Sequence, residues 1–430
     1  MIDYSIASQW KEKSDLFRSL FQILIAESIS RSRHTFMIMP KKSTWTPYFE
    51  KRLLTSQEKG TLRSLSVFDS FQPGYLLKEN KRLLNLCAND YLGLAADPTS
   101  LDEGKLLADV LPSGAGASRL VTGNLAIHEE LEKLLAEWKG TERSLVFAAG
   151  YQTNIGVIPA LVGKGDCLYS DKLNHASLID GCMLSGAAFH RYKHCDMNDL
   201  QSLLQCTRGK KKLIITDGVF SMDGDICPVP ELIELTNRFG ALLLIDDAHA
   251  TGVLGSDGSG SLSHFGLPWQ ENIIIMGTLS KAIGCQGGFV CASKLVIDYL
   301  VNFCRSFIFS TGISPWIAAM AHFNISRIRS DRELLNQVHN AITALRSALR
   351  KNGIPINDLP TPIMPIIFGE SHRALQCAHD LLEQNIVASA IRPPTVPEGT
   401  SRIRLSISAA HEISDLNNAA SALAEVMGSQ

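Results

Sequence analysis

The stretch Ile273-Ile-Ile-Met-Gly-Thr-Leu-Ser-Lys-Ala-Ile-Gly284 decides the fold predicted for this chain. Its apolar, β-branched beginning, from Ile273 to Met276, predicts a buried strand. The strand ends at Gly277 in a turn of small residues that carries Lys281. An amine held in such a turn has reduced solvation and a lowered pKa, and it can form Schiff bases with carbonyl compounds. For this segment alone, an ordinary solvated loop lysine is the alternative interpretation.

A second stretch, Leu242-Leu-Leu-Ile-Asp-Asp-Ala-His249, favours the chemical interpretation. It is another apolar strand, and it ends in Asp246, with His249 three residues later. An acid that holds a pyridinium nitrogen and a lysine that holds an aldehyde are the two protein groups that pyridoxal 5'-phosphate (PLP) requires. Together, Asp246 and Lys281 therefore predict an enzyme that depends on this cofactor.

Strands and helical patterns alternate after a strongly periodic helix over His128–Gly140, which predicts an α/β fold with a mostly parallel sheet. The candidate strands are apolar throughout, as expected for burial on both faces. Ligands of such sheets bind beyond the carboxyl ends of the strands. Seven segments are the candidate strands: Leu145–Phe147, Cys167–Tyr169, Phe189–Tyr192, Leu213–Thr216, Leu242–Ile245, Ile273–Met276 and Phe289–Cys291.

The predicted domain organisation rests on a change in the sequence pattern near residue 310, where long helical patterns replace the alternation of strands and helices. We expect a large domain built on the seven-stranded sheet and a smaller α+β domain at the C-terminal end. The predicted boundaries are an N-terminal extension outside the fold over 1–38, a segment packing on the small domain over 39–88, a large PLP-binding domain over 89–310 and a small domain over 311–430.

Composition excludes several classes of protein. The chain has 430 residues, 45% of them hydrophobic and 20% charged, with a formal net charge of −2, so nothing indicates a nucleic-acid partner. No apolar run reaches the roughly 18 residues of a membrane span, and the acidic residues Asp3, Glu12 and Asp15 are wrong for a targeting peptide. The ten cysteines form no C-x-x-C pair. We therefore predict no metal site and a cytoplasmic protein.

Taken together, these motifs resemble the α-oxoamine synthases, a branch of the fold-type I PLP-dependent enzymes. The resemblance runs from about Met39 to the end of the chain. It implies that Lys281, in the family's T-x-x-K-x-x-G turn with Thr278 as a further cofactor contact, carries PLP. It also implies that Asp246 pairs with the pyridinium nitrogen and that His249 bonds the ring oxygen.

The same resemblance assigns further cofactor contacts. His175 corresponds to the histidine that stacks on the cofactor ring, and Gly150 and Tyr151 open the helix whose N-terminus holds the phosphate. Ser221 lies in another segment of the family and is expected to contact the cofactor. Thr311 matches a position that reaches the phosphate from the partner subunit, which implies a homodimer with shared active sites.

Substrate choice is expected to depend on the stretch Ala390–Arg404. It resembles the family members that condense L-alanine with a pimeloyl thioester, carried by coenzyme A (CoA) or by acyl carrier protein. By that resemblance Arg392 holds the α-carboxylate through its bidentate guanidinium, and Thr395 is a second substrate contact. Asn89 and Arg63 are further candidates for substrate binding, although Arg63 is equally well explained as a surface ion pair.

The reaction implied is a decarboxylative condensation, with Lys281, His175 and Asp246 as the catalytic residues and Lys281 as the general base. One position departs from the family: Ala250 stands where glycine is common. Three alternatives remain. They are an oxoamine synthase that uses glycine, a fold-type I aminotransferase, and a noncatalytic scaffold subunit, which would be expected to lack the lysine.

Overall fold

The computed structural model describes residues 44–207 and 210–428. The chain divides into two compact units, Met1–Arg63 and Ser64–Gln430. Within the first unit, helix α1 spans Trp45–Glu58. The predicted extension over residues 1–38 lies outside the described residues, and the predicted boundaries after residues 88 and 310 stay predictions.

A seven-stranded sheet forms the centre of the second unit, in the order β4-β10-β9-β8-β7-β5-β6. Strand β10 runs antiparallel to both of its neighbours, and the pairs from β9 to β6 are parallel. Each predicted strand is present, so the mostly parallel α/β sheet is confirmed. The strands are β4 Arg143–Phe147, β5 Cys167–Asp171, β6 Ala188–Tyr192, β7 Lys212–Asp217, β8 Leu242–Asp246, β9 Ile273–Thr278 and β10 Gly288–Ala292.

Burial on both faces explains why these strands are apolar throughout. In β8, Leu243 and Ile245 join one hydrophobic core, whereas Leu244 between them joins a second core. Because successive side chains of a strand point to opposite faces, the two cores lie on opposite sides of the sheet. An alternating apolar and polar pattern would have left one face in water, so the continuous pattern specifies a sheet covered twice.

Helices connect and cover the strands. The predicted helix over His128–Gly140 is observed as α3, and Gly140 ends it with φ of 68°, a left-handed conformation that glycine adopts without strain. The helices up to β10 are α2 Pro98–Ala108, α3 Ala126–Lys139, α4 Gly150–Leu161, α5 Ala176–Ser185, α6 Met197–Cys206, α7 Val229–Phe239 and α8 Ser261–His264. Those after β10 are α9 Lys294–Phe303, α10 Arg305–Ile308, α11 Pro315–Ser330, α12 Arg332–Lys351, α13 Ser371–Glu383 and α14 Ile413–Gly428.

Two smaller sheets accompany the central one. One has the order β1-β2-β3-β12, and the other is antiparallel with the order β11-β14-β13. The turn between β2 and β3 places Glu79 and Asn80 at φ of 51° and 62°, as a tight two-residue hairpin requires. The strands are β1 Ser70–Gln72, β2 Tyr75–Lys78, β3 Lys81–Asn85, β11 Ile363–Gly369, β12 Ile386–Val387, β13 Ser389–Ile391 and β14 Ser401–Ser406.

Among the helices of residues 44–207 and 210–428, none combines the length and the apolar character needed to cross a bilayer.

Candidate active site

A cavity of about 220 Å³ lies at the carboxyl ends of the central strands. Strands β7, β8 and β9 end there, and helices α4 and α5 begin there, as the position of ligands in such sheets predicts. The cavity wall brings together seven of the residues that the sequence singled out: Gly150, Tyr151, His175, Asp246, His249, Thr278 and Lys281.

Lys281 follows β9 in a turn that only glycine can close. Gly284 has φ of 72°, and a Cβ there would lie 2.5 Å from the backbone nitrogen of Ala95. The amide of Gly284 donates a hydrogen bond to the carbonyl of Lys281 at 2.8 Å. The turn therefore fixes the backbone of the lysine firmly against a neighbouring segment.

The surroundings of Lys281 lower the pKa of its amine. Desolvation on burial lowers its pKa to about 8, with Arg404 acting in the same direction, although Asp246 and Asp217 oppose the shift. Within the described part of the chain, this amine has no hydrogen bond and no ion pair shorter than 4 Å. It is thus an accessible nucleophile and base close to neutral pH.

Two carboxylates, Asp217 and Asp246, lie side by side in the register of β7 and β8. Burial and the neighbouring charge of Asp246 raise the pKa of Asp217 well above its ordinary value. The Asp246 carboxylate accepts hydrogen bonds from Nδ2 of Asn154 at 2.7 Å and from the amide of Ala248 at 3.0 Å. Since two adjacent buried carboxylates resist double ionisation, the proximity of Asp246 favours the protonated form of Asp217.

The two histidines of the cavity are neutral. Burial lowers the pKa of His175, and burial together with the charges of Lys281 and Arg404 holds the pKa of His249 well below its ordinary value. Nδ1 of His249 lies 2.6 Å from the hydroxyl of Tyr91, and the amide of His175 donates to Asp217 at 2.7 Å. A neutral imidazole can pack on an aromatic ring without placing a second cation beside it.

The N-terminus of helix α4 lies at the cavity and suits an anion. Its first backbone N–H groups have no partner inside the helix, and they point toward the cavity that Gly150 and Tyr151 line. A Cβ at Gly150 would meet Oγ1 of Thr278 at 3.3 Å. Thr278 itself donates to the carbonyl of Gly287 at 2.8 Å. Small residues thus leave the helix N-terminus open, which suits a phosphate.

Two further predicted residues, Ser221 and Thr395, line a neighbouring outer cavity of about 640 Å³ that shares His175 with the inner one. Asn89 accepts hydrogen bonds from Tyr91 and, at 3.1 Å, from Arg404. Because Tyr91 also contacts His249, Asn89 is linked to the inner cavity through this network. The structure therefore places all three beside the site.

Three predicted residues do not line either cavity. Arg392 is partly buried, after β13. Thr311 is exposed and pairs with Ser118 through an isolated β-bridge, while its predicted contact is with a partner subunit. Arg63 is exposed at the end of the first unit. Their predicted roles stay predictions.

The structure adds residues to which the sequence assigned no role. Asn154 orients Asp246, Tyr91 orients His249, and Arg404 donates to the carbonyl of Ser221 at 2.5 Å. Arg404 ends the stretch Ala390–Arg404 that the sequence had already marked. The signal for Asn154 was its position four residues after Gly150, one helical turn into α4.

The donor set fits PLP. The amine of Lys281 would hold the carbonyl group, the carboxylate of Asp246 would face the ring nitrogen, the imidazole of His175 would lie against the ring, and the N-terminus of α4 would hold the phosphate. Oδ1 of Asn154 is buried and, among the described residues, has no hydrogen-bond partner. A buried orphan acceptor beside Asp246 is the kind of atom that a bound polar group satisfies.

Comparison with known proteins agrees with this geometry. Residues 81–423 match the family model described as aminotransferase class I and II. The 8-amino-7-oxononanoate synthase of Lysinibacillus sphaericus is 44% identical over 370 residues, which are 86% of this chain and 95% of that protein. The synthase of Geobacter sulfurreducens is also 44% identical, with the same coverage. The chain belongs to the 8-amino-7-oxononanoate synthase family.

Solved structures confirm the fold. Serine palmitoyltransferase from S. paucimobilis, solved with bound PLP, has a TM-score of 0.84 and 27% identity, covering 90% of this chain and 99% of that one. The 8-amino-7-oxononanoate synthase of Francisella tularensis has a TM-score of 0.69 and 25% identity, covering 81% and 98%. The predicted fold-type I architecture and the predicted enzyme family are therefore confirmed.

Proposed function

We propose that this chain is an 8-amino-7-oxononanoate synthase of biotin biosynthesis. It uses PLP to condense L-alanine with a pimeloyl thioester, carried by CoA or acyl carrier protein, and releases carbon dioxide and the free thiol. The observation that carries the proposal is the single cavity holding Lys281, Asp246 and His175, in a chain 44% identical to enzymes of that name.

In the proposal, different residues of the inner cavity bind different parts of the cofactor. When bound, PLP supplies an aldehyde carbon and a protonated ring that withdraws electrons from the α-carbon of the amino acid. Asn154 and the amide of Ala248 donate to Asp246 and would hold its carboxylate in place for the ring nitrogen. The N-terminus of α4 binds the phosphate, and the amine of Lys281 holds the aldehyde.

Lys281 is also the general base of the proposed reaction. Its pKa of about 8 leaves roughly a tenth of the free amine unprotonated at pH 7, and a base matched to the working pH is the most effective one. His175 covers the cavity from the side of α5. In the proposal Arg392 holds the α-carboxylate of alanine and Thr395 is a second contact, while Arg63 and Asn89 assist substrate binding.

The proposal extends to assembly and location. The enzyme acts as a homodimer with shared active sites, in which Thr311 reaches the phosphate of the partner's site. It acts in the cytoplasm. The ten cysteines are all free thiols, which supports a reducing compartment.

The experiment supplies the purified protein with PLP, L-alanine and pimeloyl-CoA, follows thiol release, and identifies 8-amino-7-oxononanoate by mass. Substitution Lys281→Ala is expected to abolish turnover because it removes both the holding amine and the base. Lys294→Ala is the matched control, since Lys294 is exposed and paired with Asp298 on α9. Full activity of the Lys281→Ala variant would overturn the proposal.

Each alternative function has its own outcome in this assay. Thiol release with glycine and acetyl-CoA or succinyl-CoA, but not with alanine and pimeloyl-CoA, identifies another oxoamine synthase. Pyruvate formed from alanine without any thioester identifies an aminotransferase. A protein that binds no PLP and turns over neither pair is a scaffold subunit.

A further inference from the structure

The outer cavity is built from four separate parts of the second unit. The loop after β5 and the start of α5 give one wall, which Arg191 of β6 borders, the turn around Phe220 gives the second wall, and Pro394–Pro397 gives the third. His175 belongs to both the inner and the outer cavity. The outer cavity, of about 640 Å³, therefore adjoins the inner one at His175.

Most of the outer wall is apolar. Phe220 and Val396 are almost fully buried beneath it, and Leu173, Ile179 and Met222 complete the apolar lining. Contact with such a wall removes methylene groups from water, which is favourable. The wall suits a hydrocarbon chain better than a polar ligand.

Four charged side chains stand in the same wall, and they are not equivalent. The two acids are engaged: Asp180 accepts a hydrogen bond from the hydroxyl of Tyr151, and Asp223 pairs with Arg402. The two cations are Lys172 and Arg191.

Arg191 and Lys172 have no acidic partner of their own. One terminal nitrogen of Arg191 donates to the carbonyl of Lys172 at 2.5 Å. Across residues 44–207 and 210–428, neither side chain lies within 4 Å of a carboxylate. The wall of the apolar cavity therefore carries two positive charges without a carboxylate partner, which a chain with a terminal carboxylate would satisfy.

We propose that the outer cavity binds the acyl chain of the thioester and that Arg191 and Lys172 bind the carboxylate at its far end. This rests on the proposed function, because a pimeloyl group is an acyl chain that ends in a carboxylate. The two cations then select a dicarboxylic acyl donor over a monocarboxylic one of the same length. They do so at the end of the chain remote from Lys281.

The test compares pimeloyl-CoA with heptanoyl-CoA, which has seven carbons but a methyl group in place of the distal carboxylate. The ratio of kcat/KM for pimeloyl-CoA over heptanoyl-CoA measures recognition of that carboxylate alone. In Arg191→Gln we expect the ratio to fall about tenfold, the effect of losing one charge-assisted contact at a solvent-exposed rim. The double variant with Lys172→Gln should lower it further.

Arg238→Gln is the matched control, because Arg238 is an exposed arginine of α7 that lines neither cavity, and it should leave the ratio unchanged. An unchanged ratio in the double variant would overturn the proposal. So would an equal loss with both thioesters. If the wild-type protein does not turn over heptanoyl-CoA, inhibition by free pimelate replaces the ratio, and the inhibition constant should rise about tenfold in Arg191→Gln.

A separate measurement distinguishes failure of this subsite from failure of the proposed function. Exchange of the α-hydrogen of L-alanine with deuterium in the wild-type holoenzyme, followed by NMR, requires no thioester. A protein that exchanges alanine and condenses pimeloyl-CoA while the variants keep the ratio has the proposed function without this subsite. A protein that does neither lacks the function itself.

Discussion

Replacement of His194 by glutamine is expected to lower the free energy of unfolding by about 2–4 kcal/mol at pH 7. The ring lies between two carboxylates, with Nδ1 3.0 Å from Asp171 and Nε2 2.6 Å from Asp225. Burial disfavours its charge, but the hydrogen bonds to Asp171 and Asp225 outweigh burial and raise the pKa of His194 to about 12. His194 is therefore an imidazolium at neutral pH, and it joins the loop after β5 to the turn around Phe220.

The magnitude follows from the two contacts. A hydrogen bond to a charged group contributes about 1.5–3 kcal/mol, so the pair contributes at most about 6 kcal/mol. The contact with Asp225 is reduced because that side chain is 28% exposed and water screens it. Asp171 is not orphaned by the substitution, since it still accepts from the amides of Leu173 and Cys195 at 2.8 Å each. The exposure of Asp225 and the remaining contacts of Asp171 therefore reduce the expected loss from about 6 kcal/mol to about 2–4 kcal/mol.

The pH dependence of this contribution has a definite sign. A histidine whose pKa is raised on folding binds its proton more tightly in the folded state. Its stabilisation is complete below the unfolded-state pKa of about 6.5 and is lost progressively as the pH rises toward 12. The wild-type protein should therefore lose more stability than the His194→Gln variant between pH 6.5 and pH 10.

The assay is urea unfolding followed by circular dichroism at pH 6.5, 8 and 9.5. His190→Gln is the matched control, because His190 lies on β6, the strand that precedes His194, and stacks on Tyr169 with ring centroids 5.5 Å apart. A difference between wild type and His194→Gln that stays constant over this pH range would refute the reasoning. So would a His190→Gln variant that behaves in the same way.

Three further predictions follow from the inner cavity. In the cofactor-free protein, acetylation of Lys281 should level off near pH 8, as mapped by mass spectrometry. Asn154→Ala should lower kcat about tenfold, because the 2.7 Å contact that orients Asp246 is lost. Gly284→Ala should lower the free energy of unfolding by about 3 kcal/mol or more in urea titrations, because its Cβ meets Ala95 at 2.5 Å and φ is positive.

Matched controls exist for each of these variants. Lys294, an exposed lysine of α9, is the reference for the acetylation experiment. Asn237→Ala removes an exposed amide far from the cavity wall and should leave kcat unchanged. Gly266 has a similar positive φ of 64° with open space around it, so Gly266→Ala isolates backbone strain from the clash. Equal effects in variant and control would contradict the corresponding prediction.

The sequence predicted the sheet because its information is local. Runs such as Ile273–Met276 are apolar at every position, and only burial on both faces explains that pattern. The turn with Lys281 was also recognisable, since a lysine among small residues after a buried strand is unusual. Asp246 and His249 followed for the same reason, because each ends or follows a strand of the same kind.

The contacts that tune the site were not predictable in this way. Asn154 and Asp246 are separated by 92 residues, Tyr91 and His249 by 158, and Arg404 and Tyr91 by 313. No periodicity or spacing links residues so far apart, and only the folded chain brings them into contact. The same holds for the raised pKa of Asp217, which depends on the register of β7 against β8.

His175 lines both the inner cavity, proposed for the cofactor, and the outer cavity, proposed for the acyl chain. From the inner side its amide is fixed by Asp217, at 2.7 Å. From the outer side its loop is fixed by Asp171, whose carboxylate binds the amide of Leu173 and the ring of His194. A single loop therefore sets the position of the cofactor-facing imidazole and one wall of the acyl cavity together. Any change that loosens it should impair alanine activation and acyl binding at once, because both substrates depend on the same backbone.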